Sequence, residues 1–220
     1  VETARAANID TAAQLLLAIP KPKNEAPDGW RTALGRKLAE LQQEDGSWRA
    51  CGQLPLQKRP ENETHAVTTL WTSLALIKEG FDFDQDAALN FANVDAPQSI
   101  EWFAAKLLVE SSSASNNPKD VIAARVRLVA LQNQDGGWGW KKGEQSDALG
   151  TGYALYALKS TGTTQSRAME AATEFLLRTQ RPDGSWDVPG TKRSAKGRVT
   201  STATDWGTAW AIIALAAKPS

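Results

Sequence analysis

Three carboxylates stand at alternate positions in the stretch FDFDQD: Asp82, Asp84 and Asp86. Acids that close raise one another's pKa, and one could then serve as a general acid. They also open a predicted helix, where carboxylates cap free backbone N–H groups and meet the positive end of the dipole. Capping is the expectation. The spacing begins like a calcium loop, but Ala87 replaces the required Gly and Asn93 the bidentate Glu. Cys51 is the only cysteine and His65 the only histidine. That excludes an internal disulfide, a cysteine cluster and the common multi-histidine zinc patterns. No metal, no cofactor and no catalytic residue is assigned. The remaining candidates are His65, Asp147 and Thr204, which occupy corresponding positions at predicted helix starts, with Asp205 beside Thr204. Helix N-termini favour anions. Nearby loops carry the basic pairs Lys58-Arg59, Lys141-Lys142 and Lys192-Arg193. The pairs lie at different offsets, and long polar loops are ordinarily solvated, so solvation is expected of them.

Helical periodicity must position these groups. It predicts helices over 2–18, 31–43, 63–78, 85–93, 98–110, 119–133, 147–160, 165–180 and 203–217. Pro20, Pro22 and Pro27 break the first from the second, Gly80 caps the third, and the run 111–118 is a loop. No segment alternates cleanly enough to be a strand. Lysine plus arginine equals aspartate plus glutamate, 25 each, so no bulk charge points to nucleic acid. No apolar run approaches the ~20 residues that span a bilayer. The chain lacks an initiator Met and a signal pattern; it is expected to be one domain over 1–220, trimmed from a longer protein.

A phrase occurs three times: LQQEDGSW at 41–48, LQNQDGGW at 131–138 and TQRPDGSW at 179–186. In each, a Gln stands six residues before a Trp: Gln42 and Trp48, Gln132 and Trp138, Gln180 and Trp186. Asp-Gly lies between them, and Leu38, Leu128 and Leu176 precede the glutamines by four. Gln132 and Gln180 are 48 residues apart, and Gln42 and Gln132 are 90 apart, close to twice that. A period in this range with two helices per unit means stacked helical hairpins. A middle hairpin near 81–111 has lost its phrase. After each phrase comes a helix rich in small residues: TTLWTSLAL, GTGYALYAL and GTAWAIIAL. In these, Thr69, Thr151 and Thr208 correspond, as do Trp71, Tyr153 and Trp210. Their composition suits a crowded inner layer; the charged helices before the phrases suit an outer one. The phrase itself reads as a joint. A Gln amide can bridge helix termini, Asp-Gly turns the chain, and Trp covers the joint.

These residues resemble the QW repeats of the terpenoid cyclase and protein prenyltransferase superfamily. The third copy carries the pattern in full, as Phe175-Leu176, Gln180 and Gly184-Ser185-Trp186; Lys37 and Arg127 replace the aromatic in the other two. The chain looks like the squalene-hopene cyclase C-terminal type and related stand-alone bacterial repeat proteins. The resemblance implies an all-α fold, a partial α/α toroid of about four hairpins with inner and outer helices alternating. It also implies places for chemistry. The cyclase proton donor would directly precede Thr69, Thr151 or Thr208, where Thr68, Gly150 and Gly207 stand. The prenyltransferase zinc set would need a His directly before the Thr and an Asp-x-Cys, whereas His65 lies four residues before Thr69 and Cys51 follows Ala50. Cys51-Gly52-Gln53 has the wrong spacing for a thioester.

The expectation is therefore a repeat domain without cyclase activity of its own, a binding module for a hydrophobic or isoprenoid-like ligand or for another segment of a longer protein. The alternative is a terpenoid cyclase or transferase whose acid lies elsewhere. His65, Thr69, Trp71, Asp147, Thr151, Tyr153, Asp205, Thr208 and Trp210 are the candidate cavity-lining residues. The resemblance to bacterial stand-alone proteins leans towards an exported or periplasmic location.

Overall fold

The computed structural model describes residues 8–19, 29–52, 54–113, 117–162 and 166–218. The expected start of the first helix, Pro20, Pro22, Pro27, Gln53, the centre of the 111–118 loop and Gln165 lie outside them. The chain is all-α: among the described residues there are nine α-helices and no strand, only isolated bridges. It divides into two compact units, Val1–Pro55 with Pro60–Ala96, and Leu56–Arg59 with Pro97–Ser220.

The first unit holds α1 (Ile9–Ala18), α2 (Trp30–Glu40), α3 (Glu61–Glu79) and α4 (Gln85–Phe91). Helix α1 packs on α3, while α2 and α4 lie on α3 in a second layer. Thirteen of the 19 residues of α3 are buried, as its run of Thr, Ala, Leu and Ser allows. Ala13, Leu16, Leu38, Trp48, Leu76 and Ala88 meet in one core. Arg31 joins three helices: its guanidinium donates to the carbonyls of Leu16 (2.8 Å) and Ile19 (2.7 Å) at the end of α1 and pairs with Glu79 of α3.

The second unit holds α5 (Ile100–Ser112), α6 (Pro118–Val129), α7 (Ala148–Ser160), α8 (Arg167–Thr179) and α9 (Ser201–Ala216). Helices α5, α7 and α9 make one packed row, with α6 against α5 and α8 against α7. Small residues permit the closest approach. A Cβ on Gly152 of α7 would lie 2.8 Å from the backbone of Trp210 in α9. The middle of the row is buried where the second layer is not: ten of 13 residues in α7 against two of 12 in α6.

The helix ends repay inspection because they hold the candidate groups. Asp84 caps α4 by accepting from the Ala87 N–H at 2.9 Å, while Asp82 and Asp86 are exposed. Gly80 ends α3 with φ of 78°. The second-layer helices expected to run into the glutamines stop short of them, at Glu40, Val129 and Thr179. The cause is the tryptophan, whose indole N–H takes a carbonyl in the last turn and diverts the chain. The phrase-less middle hairpin is divided between units: α4 belongs to the first and α5 to the second.

Candidate functional site

Each phrase makes the same set of bonds. Trp48, Trp138 and Trp186 are at most 2% exposed. Their indole Nε1–H groups donate to the carbonyls of Leu38 (2.7 Å), Leu128 (2.9 Å) and Leu176 (2.9 Å), ten residues back. Those carbonyls lie in the last turn, where regular helical partners run out; those of Leu38 and Leu128 also accept from the Leu41 and Leu131 N–H groups at 3.1 and 3.2 Å. The backbone N–H groups of the same tryptophans donate to the hydroxyls of Thr69 (3.0 Å), Thr151 (2.9 Å) and Thr208 (3.3 Å). The three corresponding threonines thus receive the phrase at α3 of the first unit and at α7 and α9 of the second.

Asp45, Asp135 and Asp183 turn the chain by accepting from the backbone N–H two residues on, at 3.0, 3.1 and 3.0 Å. Bonds from the Ser47 and Ser185 hydroxyls hold Asp45 and Asp183 below the usual carboxylate range. The following glycines have φ of 83°, 91° and 84°, a left-handed conformation that glycine adopts without a Cβ penalty. The Gln amides close each turn onto the carbonyl of Gly46 (3.1 Å), Gly136 (2.7 Å) or Gly184 (3.0 Å).

In the first unit, His65 lies in the second turn of α3. Its Nδ1 accepts from the Ala50 N–H at 3.0 Å, and its Nε2 is 3.7 Å from Glu61. Burial, aided by Arg49, lowers its pKa against the pull of Glu61. Trp71 is buried in the same helix at 3% exposure. Cys51 lies 3.7 Å from Asn8. Among the described residues no group of three His, Cys, Asp or Glu is placed to hold a metal.

In the second unit the structure brings Asp147, Tyr153 and Trp210 into one cluster with residues that sequence reasoning did not select. Asp147 caps α7. One carboxylate oxygen accepts from the Gly150 N–H and the other from the Trp140 N–H, both at 2.8 Å. Burial raises its pKa to about 6 in spite of these bonds. Trp140 is the hub. Its carbonyl accepts from the Ile100 N–H at 2.9 Å, and the Arg59 guanidinium lies 5.4 Å from its ring. Arg59 donates from Nη1 to Glu101 (2.8 Å) and to the Ser99 hydroxyl (3.2 Å) at the start of α5. Both members of that ion pair are almost fully buried, at 1% and 8% side-chain exposure. Tyr153 bonds to Glu101, and burial pushes its hydroxyl far above the usual tyrosine value. Its ring lies 4.4 Å from that of Trp210. Asp205 and Thr208 sit in α9, Asp205 exposed and Thr208 half-buried.

Members of the basic pairs meet here, while Lys142 and Arg193 remain exposed to solvent, as expected of them. Lys58 pairs with Glu144 at 2.9 Å. Lys141 Nζ donates to the Lys58 carbonyl and Arg193 to the Arg59 carbonyl, both at 3.4 Å. The Lys58 N–H donates to the Thr191 carbonyl at 2.9 Å, and the backbones of Gln57 and Lys192 form an isolated antiparallel bridge. Unequal offsets from the three tryptophans hid this convergence. The signal was the shared type and number of the pairs, not their register.

The comparisons with known proteins agree with this architecture. The squalene-hopene cyclase C-terminal domain family matches residues 102–192. A drimenyl diphosphate synthase of Streptantibioticus cattleyicolor is 44% identical over 59 residues, covering 27% of this chain and 11% of that protein. A second, from Streptomyces showdoensis, is 38% identical over 64 residues, 29% of this chain and 12% of the relative. A squalene–hopene cyclase of Bradyrhizobium diazoefficiens is 35% identical over 72 residues, 27% of this chain and 11% of the relative. The matched stretch spans about a tenth of the length of these relatives. With three phrases bonded alike and the family match lying across the α5–α7 row, residues 102–192 are similar to the squalene-hopene cyclase C-terminal domain of terpenoid cyclases.

Proposed function

We propose that this domain is a binding module for an isoprenoid-like ligand with an anionic head, and that it performs no cyclisation of its own. The observation that carries the reading is how the buried groups at the starts of α5 and α7 are used. Asp147 gives both carboxylate oxygens to backbone N–H groups, and Glu101 is held by Arg59 and Tyr153. A general acid needs a proton directed at substrate; these carboxyls are directed at the protein. Around them lie Lys58, Lys141 and Arg193, with Lys58 and Arg59 over the Trp140 ring and Tyr153 against Trp210. Cations beside aromatic rings suit an anionic head on an apolar tail.

The test is titration of the protein with farnesyl diphosphate and, separately, farnesol, read by tryptophan fluorescence, with product analysis of the same mixtures. Saturable binding of the diphosphate, weakened in Lys141→Ala and Arg193→Ala and without new hydrocarbon products, is the expected result. Turnover that Asp147→Asn abolishes would sink the reading. A second reading, that the chain is part of a terpenoid cyclase with its acid elsewhere, is favoured by the names and greater length of the matched relatives. It requires that adding the remaining polypeptide restores turnover.

A further inference from the structure

The acids among the cations around Trp140 are held in different ways. Glu101 takes Arg59, and both side chains are almost fully buried. Asp147 accepts from the Trp140 and Gly150 N–H groups. Glu144 meets Lys58, whose Nζ lies 2.9 Å from one carboxylate oxygen and 3.1 Å from the other. The Lys141 ammonium and the Arg193 guanidinium donate to the carbonyls of Lys58 and Arg59, at 3.4 Å each. A neutral acceptor at that distance does little to offset a full positive charge.

Of the three acids, Glu144 is the one that can leave. Its side chain is 36% exposed and that of Lys58 24%, whereas Glu101 and Asp147 are buried. An ion pair so open to water contributes little, while a buried one resists separation. The backbone of Glu144 is fixed independently of the pair. Its N–H donates to the Lys141 carbonyl (3.1 Å), and its carbonyl accepts from the Asn133 amide (3.0 Å). The carboxylate can therefore swing into solvent without moving the loop that carries it. Lys58 keeps its place when that happens. Its own N–H is bonded to the Thr191 carbonyl at 2.9 Å, and its ammonium lies 5.8 Å from the centre of the Trp140 ring.

We propose that the Glu144 carboxylate is a built-in competitor for the anion site, holding Lys58 until an isoprenoid diphosphate head displaces it. The inference rests on the ligand reading above and adds what regulates that site. On binding, the Lys58 ammonium exchanges one carboxylate for the oxygens of the head, which Lys141 and Arg193 attract as well. A diphosphate carries more charge than a carboxylate and offers more acceptor oxygens, so it wins the exchange. A neutral alcohol brings no charge to Lys58 and leaves the pair closed. Glu144 thus lowers the affinity for every head that uses Lys58, and it takes the ammonium back when the ligand departs.

The test is a double-mutant cycle on the full chain. Farnesyl diphosphate, inorganic diphosphate and farnesol are titrated into the wild type, Glu144→Gln, Lys58→Met and the double variant, each checked for folding by circular dichroism. Glu144→Gln should bind both diphosphates about fivefold more tightly, the upper range of what a partly exposed ion pair withholds. Farnesol should bind the two proteins alike. With Lys58 already replaced by Met, the Glu144→Gln change should alter diphosphate affinity by less than about twofold. An equal gain in both backgrounds would make Glu144 a bystander charge and overturn the proposal. A gain for farnesol as large as for the diphosphates would overturn it too, because that is a structural effect. If the wild type binds the diphosphates and Glu144→Gln binds them no better, this inference fails and the ligand reading stands. If neither protein binds them, both fail.

Discussion

Asp147 is a carboxyl whose protonation is easier in the folded chain than in the unfolded one. Its pKa rises from 3.8 to about 6 because it is buried. The stabilisation that accompanies protonation is therefore full below pH 3.8 and lost as the pH climbs through about 6. The gap corresponds to roughly 3 kcal/mol at most, taking ~1.4 kcal/mol per pKa unit. Urea unfolding of the wild type should show this decline relative to Asp147→Asn between pH 4 and pH 6.5. The variant should be less stable at low pH, because an amide NH2 facing the Trp140 N–H cannot accept, whereas an oxygen of the protonated carboxyl still can. Parallel profiles for the two proteins would refute the assignment. The Arg59–Glu101 pair makes a second prediction. With both partners buried, Arg59→Met leaves an unpaired carboxylate beside Tyr153 and should cost about 3–5 kcal/mol. Adding Glu101→Leu should recover much of the loss in the same denaturation assay, since two apolar side chains leave no buried charge unmatched.

The joint between helices is the unit in which this fold repeats, and its glycine separates backbone strain from packing. Gly46 and Gly184 share a positive φ, but only Gly46 is pressed by a neighbouring helix. Gly184→Ala should cost only the left-handed penalty, ~1–2 kcal/mol. Gly46→Ala adds overpacking against Ala87, a further ~1–3 kcal/mol. Chemical denaturation of the two variants measures the difference, and equal losses would show that Ala87 does not crowd Gly46. Much of this element was legible in the sequence. The triplicate Gln, Asp-Gly and Trp have fixed offsets, and the threonine and leucine they bond to also recur in register. What remained hidden was non-local. Arg59 meets Glu101 across 42 residues, and no periodicity reports a pairing at that distance. The helix ends were overrun for a related reason: the side chain that stops each helix belongs to a Trp ten residues after the carbonyl it takes.

At the scale of the whole molecule, charge and apolar surface act together. Acids and bases balance, with a pI near 6.8, so repulsion between molecules is weakest near neutrality. With Trp206 and Ile212 exposed, light scattering at fixed concentration should peak near pH 6.8 and fall at pH 5 and pH 9. A profile indifferent to pH would mean that charge repulsion does not limit association. The four residues Leu56–Arg59 carry a different consequence. They belong to the second unit, although the chain on either side belongs to the first. Where the middle hairpin has no tryptophan phrase to secure it, Arg59 secures the start of α5 through Ser99 and Glu101. The short local latch used elsewhere is thus replaced by a long-range one, and closing it takes a loop of about forty residues whose entropy must be lost first. During synthesis the latch emerges well before its catch. Thr191 and Arg193 bond to the same four residues, so this segment waits for more than a hundred residues of chain before its own unit can close around it.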